Sequence, residues 1–98
     1  MLEVFQTDQF ARWFTKLKDR NARARIQARI DRLELGHIGD AESVGGGVSE
    51  MRIFYGPGYR VYFTRRSSFI VVLLIGGDKS TQSKDIRKAI RLARELEN

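Results

Sequence analysis

The spacing of apolar residues changes period twice along the chain, and those changes divide it into helices and strands. Near the start, Leu2 to Phe5 is short and apolar, and Thr7 is a good N-cap for a helix over roughly 8–18. Phe10, Phe14 and Leu17 recur there at i, i+4 and i+7 with Trp13 beside the stripe, so the helix has an aromatic core face. Trp13 is therefore read as a core aromatic before a base-stacking platform. Asp19 can cap a second helix running to about Leu35, with Ala22, Ile26, Ile30 and Leu33 as its apolar stripe and Gly36 as its stop. Helices joined so closely should form an antiparallel hairpin lying on a sheet. His37 to Gly47 has four glycines and no regular period and reads as a loop.

From Val48 the period falls to two. Val48 to Tyr55 sets Met51 and Ile53 on one side and Glu50 and Arg52 on the other, the pattern of a half-buried strand. Gly56-Pro57-Gly58 ends it, because proline fixes φ and lacks an N–H while glycine tolerates positive φ. Tyr59 to Thr64 alternates again, with Tyr59, Val61 and Phe63 on one face and Arg60 and Tyr62 on the other, so Arg52 and Arg60 can share a face. After a polar turn at Arg65–Ser68, the unbroken apolar run Phe69 to Ile75 predicts a strand covered on both sides. Gly76 to Ser80 should close the sheet and open a last helix over roughly 81–96. Its Ile86, Ala89, Ile90, Ala93 and Leu96 can face the core, with Lys84, Arg87, Lys88, Arg91 and Arg94 exposed.

A chain of 98 residues is one domain with a modest core. The absence of cysteine excludes disulfides and thiolate metal sites, and a single histidine, His37, argues against a histidine-ligated metal or a serine/histidine triad. No metal and no cofactor are expected. No apolar run approaches the roughly 20 residues of a membrane span, and no signal-peptide pattern opens the chain, so a cytoplasmic location without membrane contact is the expectation. The net charge of +6 is uneven: residues 12–32 and 52–98 are strongly basic, whereas residues 33–51 hold acids and no lysine or arginine. Clustered arginine in a domain of pI near 10 points to a polyanion, RNA or DNA first. An ordinary basic domain with solvated helix faces has the same composition.

Arg52 and Arg60 are the sharper candidates. Long arginines in mid-strand either pair with an acid such as Glu50 or face a groove that takes phosphate. Gly76-Gly77 lacks a Walker lysine pattern or a dinucleotide fingerprint. It offers close backbone approach and free N–H groups at a helix start beside Lys79, or simply a strand-to-helix turn capped by Asp78 or Ser80.

The stretches Ser49-Glu50-Met51-Arg52-Ile53, Tyr55 to Phe63 and Leu73 to Gln82, with Asp85-Ile86 following, resemble the bacterial addiction-module killer proteins, the HigB-like branch of the RelE/ParE toxin superfamily. Arg25 to Ile30 and Gly39-Asp40 resemble that branch too, so the likeness covers nearly the whole chain. It implies an α+β fold, β-α-α-β-β-β-α, whose small, mostly antiparallel sheet is packed by a helical hairpin and a C-terminal helix. Its open face would bind mRNA in the ribosomal A site and cleave it without metal, by attack of the ribose 2′-OH on the adjacent phosphate. Matched residue by residue, Arg60, Arg52 and Lys79 stand at or near the family's basic positions. Such groups could stabilise charge on a pentacoordinate phosphorus by roughly 3–4 kcal/mol per good donor.

Residues 76–98 contain neither the tyrosine nor the histidine that some relatives use for proton transfer, which leaves the base unassigned among Glu50, Asp78, Asp85 and a lysine or arginine acting mainly electrostatically. The candidate catalytic set is thus Arg52, Arg60, Lys79 and Glu50, and the candidate RNA contacts are Arg25, Arg29, Tyr62, Lys84 and Lys88. Expected partners are the ribosome with its mRNA and a cognate antitoxin of helix-turn-helix type. Two other readings remain at this stage: a ParE-like toxin that inhibits DNA gyrase without nuclease activity, and a non-catalytic RNA-binding module.

Overall fold

The computed structural model describes residues 1–97 as a five-stranded mixed sheet with helices on both faces. Strands β1 (Glu3–Gln6), β2 (Ala41–Gly45), β3 (Val48–Ile53), β4 (Tyr59–Ser67) and β5 (Ile70–Asp78) stand in the order β1-β5-β4-β3-β2. Only the β1–β5 pair is parallel. Helices α1 (Asp8–Lys16) and α2 (Arg20–Glu34) precede β2, and α3 (Gln82–Leu96) follows a 3₁₀ turn at Lys79–Thr81.

Local chemistry sets these boundaries. The Thr7 hydroxyl accepts from Phe10 N at 3.0 Å and donates to Leu74 O at 2.6 Å, so one side chain caps α1 and ties it to β5. Asp19 caps α2 by accepting from the amides of Asn21 and Ala22, which holds its carboxyl below the usual range. Gly36, at φ 91°, ends α2 in the left-handed region that glycine enters without strain.

The hairpin buries Phe10, Ile26, Ile30 and Leu33 against Met51, Ile53, Val61, Phe63, Val71 and Leu73. On the opposite face, Ala89, Leu92 and Ala93 of α3 pack on Val48, Tyr62, Leu74 and Ile75. This corrects the expectation of an open sheet face: α3 covers the side that carries Glu50, Arg60 and Tyr62, leaving only its turn end accessible. The apolar run in β5 follows from its position, flanked by β1 and β4 and covered by α1 and α3.

Two other expectations change. Part of the His37–Gly47 stretch is strand β2, paired antiparallel with β3 through Ala41↔Met51 and Glu42↔Glu50. Gly76 and Gly77 lie inside β5, opposite Val61 and Arg60, instead of opening a helix. Glycine suits both positions because the space a Cβ would fill is taken: it would come within 2.2 Å of the Trp13 ring at Gly76 and 2.0 Å of Asp85 Oδ2 at Gly77, so those side chains would have to shift.

Candidate functional site

The end of β3, the start of β4 and the end of β5 meet at one end of the sheet. Arg52 lies directly opposite Arg60 on β4, Arg60 lies opposite Gly77 on β5, and Lys79 follows two residues after Gly77. Between them the Gly56-Pro57-Gly58 turn folds over a cleft of about 350 Å³. Arg52, Arg60 and Lys79 line it with Phe54, Tyr55 and Tyr59, and no carboxylate is among its lining residues. Gly56 and Gly58 have positive φ, 57° and 81°, which lets the turn curl back over the cleft.

The three cations are held differently. Arg60 is nearly enclosed: Nη1 donates to Gly58 O at 3.0 Å, and Nε lies 3.4 Å from Glu50 Oε2. That separation makes an ion pair, but Nε has no hydrogen-bond partner among the described residues. Arg52 is pinned from the side by Asp40, 2.8 Å away, and Glu42, 3.1 Å away. The Arg52 hydrogen bond is the main cause of a lowered Asp40 pKa, and Asp40 in turn raises that of Arg52. Arg52 thus meets the structural reading of a paired strand arginine, with Asp40 and Glu42 as partners in place of Glu50. Lys79 is exposed and has no ion pair among the described residues.

Glu50 corrects a sequence-based expectation. It is 3% exposed and accepts from the Tyr62 hydroxyl at 3.0 Å and from Gln82 Nε2 at 2.8 Å, so it is a buried support for Arg60 with no surface toward the cleft. Tyr62, expected to touch RNA, is fully buried beneath α3 and cannot stack on a base. Burial, followed by its hydrogen bond to Glu50, pushes the Tyr62 pKa far up, so it remains a donor. The other possible bases are also engaged: Asp85 accepts from the Thr81 hydroxyl at 2.6 Å, and Asp78 caps the 3₁₀ turn through Ser80 N at 2.8 Å.

Two of the α2 arginines, Arg23 and Arg29, are engaged within the protein, whereas Arg20, Arg25 and Arg32 are exposed. Arg29 donates to the carbonyls of Arg52, Ile38 and Asp40, fastening α2 to β2 and β3, and burial is the first cause of its lowered pKa. Arg23 donates to Leu17 O and closes the hairpin, while Arg25 stacks 4.7 Å over the Tyr55 ring. The surface formed by Arg29 and its neighbours is therefore a brace, and Arg25 is the one member of the expected α2 pair that remains exposed. Lys84 and Lys88 lie elsewhere, across α3 from the Arg60 cleft and facing α1.

Sequence reasoning missed Asp40, Glu42, Gln82 and Phe54. Asp40 and Glu42 are two residues apart in a stretch without lysine or arginine, and that period-two spacing could have marked them as one strand face aimed at a cation. Phe54 is 80% exposed at the cleft rim, an unusual position for a large apolar ring. Among the described residues no three His, Asp or Glu side chains gather closely enough to hold a metal ion, and no helix is long and apolar enough to cross a membrane.

Fold and cleft define a small basic α+β protein compatible with the RelE-like architecture. The family model for phage derived protein Gp49-like (DUF891) matches residues 12–97. An uncharacterized protein of Haemophilus influenzae strain Rd is 50% identical over 95 residues, 97% of this chain and 96% of that protein. The chain belongs to the Gp49-like family, a toxin-like family related to the addiction-module killers.

Proposed function

We propose that this protein is the toxin of a toxin–antitoxin pair and that it cleaves mRNA on the ribosome, with Arg60 and Lys79 holding the scissile phosphate. The observation that carries this reading is the cleft at the Gly56–Gly58 turn, where Arg52, Arg60 and Lys79, the last unpaired among the described residues, line a space large enough for a nucleotide and the acids that pair the two arginines stand outside the lining. In the proposed reaction the ribose 2′-oxygen attacks the adjacent phosphorus and the 5′-oxygen leaves, giving a 2′,3′-cyclic phosphate and a 5′-hydroxyl. Arg60 and Lys79 act on the oxygens that gain charge, where a preorganised donor is worth roughly 3–4 kcal/mol. Glu50 fixes Arg60 in place without facing the substrate. Arg52, neutralised by two acids, supplies geometry to the β3 wall more than net charge.

An antitoxin as partner and the ribosome as the setting are both parts of the proposal. A second reading is favoured by one specific observation: the buried, hydrogen-bonded state of Glu50 and Asp85 leaves the cleft without an exposed carboxylate base. That is compatible with a toxin that grips phosphate but cuts nothing, for instance one acting on DNA gyrase.

Induced expression in a translating extract separates the two. The nuclease reading expects translation-dependent mRNA cuts that Lys79→Ala reduces at least tenfold, Lys79 being exposed and removable without loss of the fold. Uncut mRNA with accumulation of gyrase-cleaved DNA would reverse the choice.

A further inference from the structure

On the other side of the Asp78–Thr81 turn, α1 and α3 enclose a second concavity of about 390 Å³. Arg12 and Lys16 line it from α1, Lys84 and Lys88 line it from α3, and Trp13 stands against its Gly76 floor. Each pair is spaced i, i+4, so each presents two like charges on one helix face, where they repel. None of the four is in an ion pair among the described residues. The two acids at the rim do not offset them fully: Asp85 is turned inward to the Thr81 hydroxyl over Gly77, and Asp78 is occupied as the cap of the 3₁₀ turn. Four cations thus face one another across a cleft whose lining holds only two carboxylates, Asp78 and Asp85, an excess of positive charge that a bound polyanion relieves.

The cleft also adjoins the Arg60 site across the Lys79–Thr81 turn. Trp13, which lines the α1–α3 cleft, meets Tyr59, which lines the Arg60 cleft, edge-on at 6.3 Å, so an aromatic pair stands between the two concavities. Lys79 and Thr81, at the two ends of the 3₁₀ turn, line one cleft each. We infer that the α1–α3 cleft binds the phosphodiester backbone of single-stranded RNA, continuing a track that begins at Arg60 and Lys79. The inference rests on the RNA-directed reading above and extends it to a second site whose α1 half, Arg12 and Lys16, was not apparent from the sequence pattern. An extended strand suits a track that turns past an aromatic pair, and each phosphate seated there exchanges condensed counterions for fixed cations.

Trp13 is the sole tryptophan and reports directly on this cleft. The purified protein is titrated with an oligouridylate that it does not cut, following Trp13 emission and anisotropy over a range of salt. Binding should change Trp13 emission. Lys84→Glu/Lys88→Glu and Arg12→Glu/Lys16→Glu should each lower the slope of log affinity against log salt by about 0.7 per contact, about 1.4 per pair. Circular dichroism confirms that each variant is folded, and Lys84→Gln/Lys88→Gln gives a milder second test in the same direction.

Unchanged slopes in both pairs overturn the inference. So does oligoglutamate binding as tightly as the oligouridylate with the same Trp13 response, which would assign the cleft to an acidic protein segment. Cleavage is read separately in the translating extract. Binding without cutting removes the nuclease reading and leaves this site, whereas cutting with unaltered salt slopes removes this site and leaves the nuclease.

Discussion

At the scale of single residues, the functional arginine and the stability of the fold are coupled. Arg60→Ala would remove a phosphate contact and also leave the Glu50 carboxylate buried without its cation, and breaking a buried pair costs about 3 kcal/mol or more. Lost toxicity in that variant would therefore not by itself implicate the cleft. Arg60→Lys keeps the charge but not the planar fork, so it should fold with a loss nearer 1 kcal/mol while cleavage falls at least tenfold. Urea midpoints and mRNA cleavage measured on both variants test this, and wild-type cleavage by folded Arg60→Lys would remove bidentate phosphate binding from the mechanism. Gly76→Ala has no such coupling to charge. Its Cβ would fall 2.2 Å from the Trp13 ring, so the ring must shift, at an overpacking cost of about 1–3 kcal/mol. A urea midpoint equal to wild type would mean that α1 yields more readily than its packing on β5 implies.

At the scale of elements, what the sequence pattern revealed and what it concealed have distinct causes. The stripe Ala22, Ile26, Ile30 and Leu33 is wholly buried as its period demands, and Met51 and Ile53 alternate with Glu50 and Arg52 as a half-buried strand should. Strand β2 escaped because it is an edge strand with a bulge, in which only Ala41 and Val44 are partly covered while Glu42 and Ser43 are exposed. The lid formed by α3 escaped because Tyr62, placed with Arg60 on the face opposite Tyr59, Val61 and Phe63, was read as an RNA contact and not as part of a core. Tyr62 and Val48, apolar residues on the arginine-bearing face, were the available sign that this face is covered too. Of the expected site, the adjacency of Arg52 and Arg60 was legible from strand phase. Their different electrostatic states were not, since these depend on which acids a later fold brings near.

The two arginines that fasten β2 lead to a further prediction. Asp40 has a folded pKa lowered below its ordinary 3.8, so it binds protons less readily folded than unfolded. Its contribution is fully present above pH 3.8 and is lost as pH falls through the lower folded value. Asp40→Asn should be less stable than wild type near neutrality, and the gap in urea midpoint should close on the acid side of that value. A constant gap across the range would show that the Arg52–Asp40 contact acts through shape and not charge. Arg29→Ala, which strips donors from three carbonyls, should cost about 1–2 kcal/mol without changing RNA affinity.

At the scale of the whole molecule, a charge of +6 is spread over a body with a radius of gyration of 12.3 Å, and this competes with the local pairings just described. Most of the lysines and arginines have no acid partner among the described residues, where the ion pairs involve only Arg52 and Arg60. Added salt screens both the mutual repulsion of unpaired cations and the attraction in exposed pairs, with a Debye length of about 8 Å at physiological ionic strength. The exposed Arg52 pairs weaken on screening, and the Arg60–Glu50 pair, largely shielded from solvent, changes less. Repulsion acts among many more groups, including the facing pairs Arg12/Lys16 and Lys84/Lys88, so its relief should win. The melting temperature should therefore rise between low and physiological sodium chloride by about 4–8 °C for each kcal/mol gained. Lys84→Gln/Lys88→Gln should be more stable than wild type at low salt, with a smaller salt response. A melting temperature that falls as salt is added would mean that the Asp40–Arg52–Glu42 latch outweighs the excess positive charge.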